Sequence, residues 1–322
     1  MTRALQAAGA ILLAATLLGG CVKTCPPTRV SMDELVAGYN ANAARADRLW
    51  ARARIRVELA AEGRLPMGWG SASPIASPNG LLLLRKDVGP QATPSFVLIG
   101  RETLAVELFR LGVSGEEGVY YLWYHFGDRG EAWWGRTALA GAPGMNMPLD
   151  PAQLLAVLCL TELPADFTDL PTVTLRMSHH PGQTIPTSET CAYILTFLDR
   201  QPLSGRIGLT REVYFTWDES APPRPFLVKL FDRDGVHVLT ARLDEWAPIA
   251  DDAAGPAPTM PTDVELVWEG TVNRLHVQLS EMTTEERGEP EVMLFTPWLP
   301  DAIPPGNVIQ VDEGLGAEGS QP

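Results

Sequence analysis

Cysteine and histidine are the residue types of this chain that have the most chemistry open to them. The four cysteines stand at positions 21, 25, 159 and 191, and their spacing matches no zinc-binding pattern. Cys159 and Cys191 could form a disulfide in an oxidising compartment, and a pair of buried free thiols is the alternative. Cys25 precedes Pro26-Pro27, which favours an exposed position in a linker.

Histidine pairs and acidic doublets are the other candidates for a metal or catalytic site. His179-His180 comes directly before Pro181-Gly182, and neighbouring strand residues point to opposite faces, so a surface turn is favoured over a metal site. The acidic doublets lie among turn residues and are typical of solvated loops: Glu116-Glu117, Asp251-Asp252 and Glu285-Glu286. We therefore expect neither a metal nor a cofactor.

The common catalytic signatures are missing from the sequence. It contains no Gly-x-Ser-x-Gly elbow, no His-Glu-x-x-His motif and no glycine-rich phosphate-binding loop. His125 and His276 fall in predicted strands without an acidic neighbour in sequence. We predict that the protein is not an enzyme. A hydrolase whose site is assembled from distant residues is the alternative.

The N-terminus combines a basic residue, an apolar run and a cysteine. Arg3 precedes the run 4–18, which is shorter than the roughly 20 apolar residues that span a bilayer. The run ends in Leu18-Gly19-Gly20-Cys21, which resembles the lipobox of bacterial lipoproteins. The resemblance implies that residues 1–20 are a signal peptide and that Cys21 carries acyl chains such as palmitate.

The same resemblance implies a location in the cell envelope. A chain acylated on Cys21 would be lipid-anchored and periplasm-facing. Val22 stands where an inner-membrane retention signal has Asp, which favours the outer membrane. The formal net charge is −14, and no cluster of five or more Lys or Arg residues is present, so we expect no nucleic-acid partner.

The elements that must position any site begin after a short tether, residues 21–30. Ser31-Met-Asp-Glu34 is a capping-box pattern, and apolar residues recur at helical spacing, which predicts a helix over 32–52 followed by a strand over 55–59. A loop rich in Gly and Pro is predicted over 63–80. Asp150-Pro151 starts a second predicted helix, which continues to residue 160.

Aromatic residues are concentrated around one predicted strand. Val119–Phe126 is apolar or aromatic on both faces, which indicates that both faces are covered, and 131–136 is its predicted partner strand. An aromatic group could line a cavity for acyl chains, although ordinary core packing is the alternative. The members of this candidate ligand-binding group are Trp69, Trp123, Tyr124, Phe126, Trp133 and Trp134.

The second half of the chain is predicted to be almost entirely strand. A hairpin is indicated over 226–231 and 236–243, with the turn Asp232-Arg-Asp-Gly235 between its arms. A loop is predicted over 249–262, and residues 301–322 are rich in Gly, Pro and acidic residues, which predicts a disordered tail. Between the tether and this tail we predict a single domain over residues 31–300.

This order of elements resembles the LolA/LolB-like lipoprotein carriers and receptors of the bacterial envelope. The resemblance rests on the capped helix at Ser31, the Asp150-Pro151 helix between two strand sets, and the block 211–246 with its Pro225 … Asp232-Arg-Asp-Gly235 hairpin. It implies a β-rich α+β fold: an open, curved antiparallel sheet, or unclosed half-barrel, with helices on its concave side. No functional residue of the family maps onto a position here.

Two functions follow as hypotheses. The first is a membrane-anchored envelope lipoprotein that binds lipid or lipoprotein acyl chains in a hydrophobic groove. The second is a non-catalytic structural or protein-interaction scaffold with a filled core. A continuous apolar cavity that opens to solvent would favour the first, and an interior packed with side chains would favour the second.

Overall fold

The computed structural model describes residues 25, 29–58, 75–86, 93–103, 106–126, 129–139, 147, 149, 151–167, 170–179, 191–200, 205–218, 221–232, 234–250, 255–285 and 295–313. The predicted signal peptide, Cys21, Trp69, Asp150 and His180 lie outside these residues, as does the side chain of Phe126.

The described residues form two α-helices and fourteen β-strands. The helices are α1 (Met32–Arg45) and α2 (Pro151–Val157). The strands are β1 (Arg48–Glu58), β2 (Ile75–Arg85), β3 (Ser95–Thr103), β4 (Val106–Ser114), β5 (Val119–Phe126), β6 (Arg129–Arg136), β7 (Thr172–His179), β8 (Cys191–Arg200), β9 (Ile207–Thr216), β10 (Pro225–Phe231), β11 (His237–Pro248), β12 (Thr259–Trp268), β13 (Arg274–Thr283) and β14 (Val308–Gln310).

Helix α1 begins as predicted and ends earlier than predicted. The Ser31 hydroxyl accepts a hydrogen bond from the Glu34 backbone amide, and the Glu34 carboxylate accepts one from the Ser31 amide, which completes the capping box. The helix ends at Arg45, so the prediction over 32–52 is wrong in its last seven residues. Residues 48–52 instead belong to β1, where odd positions from 49 to 57 are buried and Arg52, Arg54 and Arg56 are exposed, a period of two.

The strands form one open sheet of two antiparallel meanders. Strands β1–β6 make the first meander and β7–β13 the second, and the antiparallel pair β1/β13 joins them. Strand β14 adds to the edge of β6 in the parallel direction. Among the described strands, β7 and β14 are the two edges and do not pair with each other, so the sheet is not closed. The predicted open antiparallel sheet is confirmed.

Both helices pack on one face of this sheet. A single buried cluster takes residues from both helices and from strands of both meanders, among them Leu35, Leu154, Leu122 and Val264. A sheet that buries one face around two short helices must curl around them, and we call this face the concave face. The opposite face is the outer face.

The C-terminal segment 295–313 covers the outer face of the first meander. Phe295 packs on Trp50, Leu83, Val97 and Ile99. Ile303 packs on Tyr121, Trp123 and Ala132. The prediction that the domain ends at residue 300 and is followed by a disordered tail is therefore wrong for residues 301–313, because this segment buries apolar side chains and forms β14. Residues 314–322 lie outside the described part of the chain.

The predicted hairpin of the second meander is confirmed. Strands β10 and β11 pair antiparallel, and Gly235 has φ 75°, a backbone conformation that favours glycine. The Asp232 carboxylate accepts hydrogen bonds of 2.8 Å from the backbone amides of Asp234 and Val236, which fixes the turn.

Candidate functional site

A cleft remains on the concave face where α2 meets β3–β6. Its volume is about 410 Å³, within the range of small-molecule sites. Its lining is apolar with four hydroxyl-bearing side chains, so it suits a largely hydrophobic ligand. The lining residues are Thr93, Val113, Tyr120, Thr137, Ala138, Leu155, Ala156 and Thr161. We call this site the α2 cleft.

The register of β4, β5 and β6 places the Tyr120 ring in the wall of the α2 cleft. Tyr120 pairs with Val113 on one side and with Gly135 on the other. A Cβ atom at Gly135 would lie 2.6 Å from the Tyr120 hydroxyl oxygen, so the glycine allows the ring to lie across β6. Leu155 and Ala156 of α2 close the opposite wall.

The predicted aromatic group does not form one site. Tyr124 and Trp133 lie on the concave face with their ring centroids 5.6 Å apart. Trp123 and Trp134 project to the outer face, because side chains alternate along a strand. Trp123 is buried and Trp134 is 36% exposed. The hypothesis that Trp123 and Trp134 line a concave acyl site is therefore wrong, and Tyr120 lines the α2 cleft instead.

Trp123 belongs to a sealed layer under the C-terminal segment. Its ring centroid lies 5.5 Å from that of Trp298. The guanidinium of Arg110 lies 5.6 Å from the Trp298 ring and donates two hydrogen bonds to the Glu107 carboxylate, at 3.0 and 3.1 Å. Arg101 donates to the same carboxylate at 3.1 Å, so two arginines neutralise one half-buried acid.

A buried polar group lies on the concave face behind α1. Burial raises the pKa of the Cys159 thiol to about 12, and burial and the neighbouring Cys159 raise the pKa of Tyr39 well above its ordinary value. A thiol with such a pKa is protonated at neutral pH and is a poor nucleophile. Burial lowers the pKa of Arg211, whose guanidinium lies 4.5 Å from the Phe197 ring and makes no ion pair with a described residue.

The disulfide of the protein joins Cys25 to Cys191, with a Cα–Cα distance of 5.7 Å. The predicted Cys159–Cys191 pair is therefore wrong. Cys159 is buried in the core and free, whereas Cys191 opens β8 at a strand end that the tether reaches. The His179 Nδ1 atom lies 3.8 Å from the Cys191 sulfur, and the three potential ligand atoms of Cys25, His179 and Cys191 lie within 4.8 Å of one another. Bonded sulfurs carry no thiolate charge, so this cluster is a cross-link.

Strand register also creates two polar groups that sequence spacing did not reveal. His276 lies 2.8 Å from the Asp263 carboxylate, which also accepts a hydrogen bond from Gln278. Burial opposes ionisation of Asp263, but these hydrogen bonds hold its pKa below the usual range. The Thr240 hydroxyl lies 3.1 Å from His237 Nε2 and donates to Glu269 at 2.7 Å. Because the hydroxyl donates its hydrogen bond to Glu269, which is 40% exposed, and not to the histidine, this group does not resemble an activated nucleophile.

Fold and site together define an open antiparallel half-barrel with a small apolar cleft under one of its helices. The structure is similar to a putative outer membrane lipoprotein-sorting protein domain from Vibrio parahaemolyticus, with 13% identity, a TM-score of 0.43, and coverage of 82% of this chain and 98% of that one. It is also similar to a LolA superfamily protein from Nitrosomonas europaea, with 12% identity, a TM-score of 0.42, and coverage of 82% and 98%.

A third similar structure is a DUF1329 family protein from Desulfovibrio piger, with 9% identity, a TM-score of 0.43, and coverage of 78% and 93%. At these identities and TM-scores the similarity concerns the general arrangement of the sheet and extends to no residue or ligand. No family model and no curated protein matches the sequence. Neither described helix has the length and apolar character that a membrane crossing requires.

Proposed function

We propose that this protein is a membrane-anchored envelope lipoprotein that binds acyl chains in the α2 cleft. The observation that carries the proposal is the cleft itself, an apolar space of about 410 Å³ on the concave face. Burial of each methylene group of a ligand contributes about 0.8 kcal/mol, so even part of an acyl chain in this space would bind measurably. No covalent chemistry is required.

The anchor in this proposal is the acylated Cys21, which follows the apolar run of the N-terminus. Several acyl chains on one residue hold a protein on a bilayer far more firmly than a single chain does. The protein would face the periplasm from the outer membrane. Its ligands would be lipids or the acyl chains of other lipoproteins.

The direct experiment is a titration of the non-acylated chain 22–322 with a fluorescent fatty acid. Ala156→Phe places a ring in the cleft wall, and Ala44→Phe makes the same change at an exposed position of α1. We expect saturable binding by the unmodified chain and by Ala44→Phe, and binding weaker by about tenfold or more for Ala156→Phe, a change of about 1.4 kcal/mol. Equal binding by both variants would place the ligand elsewhere, and no saturable binding would remove the acyl-binding part of the proposal.

One observation favours the second candidate function, a structural or interaction scaffold. Most of the concave face is filled, since side chains from both helices and both meanders form one continuous buried cluster. A scaffold needs no vacant space, and the α2 cleft would then be a solvent-filled surface depression without a ligand. The titration separates the two functions, because a scaffold predicts no saturable binding of the fatty acid.

A further inference from the structure

The Cys25–Cys191 disulfide decides which end of the half-barrel can approach a membrane. Cys25 is four residues after Cys21, and an extended chain of that length spans at most about 14 Å. The disulfide fixes Cys25 beside the first residue of β8. Without it, Cys21 would be held only through the ten residues that lead to Ser31, with a reach of about 35 Å.

The strand pairings show which other residues share the end of the sheet that holds Cys191. Adjacent antiparallel strands bring the end of one beside the start of the next, so that one end of the sheet can be followed from β7 to β6. We call this end the anchor end. Its successive pairs are His179–Cys191, Ala192–Thr216, Phe215–Pro225, Pro248–Thr259, Trp50–Thr283, Arg48–Arg85, Arg85–Ser95, Ser114–Val119 and Val119–Arg136.

The α2 cleft lies at this same end. Val113 and Tyr120 are each one residue from the terminal pair Ser114–Val119, and Thr137 follows directly after Arg136. Thr93 lies two residues before Ser95, where β3 starts. Half of the cleft lining therefore comes from strand ends that share one rim with the disulfide. The opposite end of the sheet contains none of the lining residues.

From this geometry we infer that the protein sits on a lipid bilayer with its anchor end, and hence the end of the sheet that carries the α2 cleft, facing the lipid. The inference rests on the proposed acylation of Cys21 and adds to it the docking surface and the role of the disulfide. An acyl chain would pass between bilayer and cleft over a short distance, because the strand residues that line the cleft lie at the end of the sheet that faces the lipid. Reduction of the disulfide would free Cys25 from the start of β8, so the anchor end would no longer be held near the bilayer. The acylated Cys21 would stay in the bilayer.

The test compares fluorophores at the two ends of the full acylated protein on vesicles of phosphatidylethanolamine and phosphatidylglycerol. One is attached through an encoded azide residue at Glu116, in the exposed turn between β4 and β5 at the anchor end, and the other at Val272, in the exposed turn between β12 and β13 at the far end. The vesicles contain a lipid with a spin label on its headgroup. A ten-residue strand spans about 33 Å, so we expect quenching at position 116 and none at position 272.

The matched control carries Cys25→Ser and Cys191→Ser, with folding checked by circular dichroism. In this variant we expect the two positions to be quenched alike. Equal quenching in the disulfide-bonded protein would overturn the inference, as would an unchanged contrast in the double variant. If the protein does not float with the vesicles, the proposed anchor itself fails, and the inference fails with it. If the fatty-acid titration shows no binding but the quenching contrast is observed, the proposed ligand is wrong and the inferred orientation on the bilayer stands.

Discussion

The two meanders protect their outer faces in different ways. In the first meander the outer face is apolar, and residues such as Val97, Tyr121 and Trp123 are buried under the C-terminal segment. In β11–β13 the outer face carries charged and polar residues, and Arg242 and Gln278 are exposed to water. The first meander thus needs a second cover, whereas this part of the second meander does not.

Segments from both ends of the described chain stabilise the open sheet. The C-terminal segment covers the first meander and adds β14 to its edge, and the N-terminal tether is fixed to the second meander through Cys25 and Cys191. One segment thus lies at the β6 edge of the sheet, and the other is bonded to β8, next to the edge strand β7. The edges of an open sheet are where its strands can pair with other chains.

The largest expected effect follows from removing the aromatic layer beneath the C-terminal segment. Trp123→Ala takes away a buried indole that contacts Trp298, and it should lower the free energy of unfolding by about 3–5 kcal/mol. Urea denaturation measures this loss. Trp134→Ala, on the same face and 36% exposed, should cost much less. Equal losses for the two variants would mean that the C-terminal segment does not seal this face.

The disulfide of the second meander should give the next largest effect. Reduction of Cys25–Cys191 opens a loop with a sequence separation of 166 and should cost about 2–4 kcal/mol. The measurement is denaturation with and without a reducing agent. Cys159→Ala should leave the effect of the reducing agent unchanged, because Cys159 is free. If that variant became insensitive to reduction, the disulfide would instead involve Cys159.

Asp312 fastens the end of the C-terminal segment to β6. Its buried carboxylate accepts hydrogen bonds from the Arg136 side chain at 2.7 Å, from the Arg136 amide at 3.0 Å and from Gln310 at 2.9 Å. Asp312→Asn removes the charge and should cost about 1–3 kcal/mol. Asp301→Asn, an exposed change in the same segment, should stay within about 0.5 kcal/mol. Equal losses for both would argue against the Arg136 contact.

The depressed pKa of Asp312 also predicts how the free energy of unfolding depends on pH. Burial opposes its ionisation, but the hydrogen bonds from Arg136 and Gln310 hold its pKa below the ordinary value of 3.8. A depressed folded-state pKa contributes stability that is present above the ordinary pKa and is lost as the pH falls through the folded-state pKa. The loss should therefore occur below about pH 4 and should be smaller in Asp312→Asn than in the unmodified protein. An identical acid profile in the two proteins would contradict this role.

The smallest effect is expected on the water-facing side of the second meander. Asp263→Asn breaks a contact with His276 in which the two side chains are 26% and 39% exposed, and it should cost no more than about 1 kcal/mol. Thermal denaturation of the variant measures the difference. A loss above about 3 kcal/mol would mean that this face is covered in the folded protein, and the contrast between the meanders would disappear.

Local signals in the sequence predicted the helix start at Ser31 and the hairpin turn, because the interactions that create them are local, but they misplaced the end of α1 and the starts of β2 and β12. The capping box at Ser31 and the turn Asp232–Gly235 each involve residues within four positions of one another. The strand Val119–Phe126 is predicted to be covered on both faces because its apolar character does not alternate, and its residues Tyr120–Trp123 are buried on both faces. Alternation does not say which face is concave, so the sequence could not show that Trp123 lies on the outer face.

The remaining features depend on contacts between distant parts of the chain. The composition of the C-terminal segment resembles a disordered tail, and only packing on the first meander makes Ile303 a core residue. The disulfide depends on the path of the tether, and Cys25 gives no local sign of its partner at position 191. The α2 cleft arises from the register of β4–β6 against α2, which no single segment encodes.

The central claim, that the α2 cleft holds an acyl chain, is tested most directly by photo-cross-linking. A fatty acid with a diazirine on its chain is bound to the chain 22–322 and irradiated, and the modified peptides are mapped by mass spectrometry. If the cleft holds the acyl chain, we expect saturable adducts on segments that line it, around Tyr120 and from Leu155 to Thr161, and a competing unlabelled fatty acid should abolish them. Adducts confined to the outer face around Trp298, or adducts that do not saturate, would contradict it.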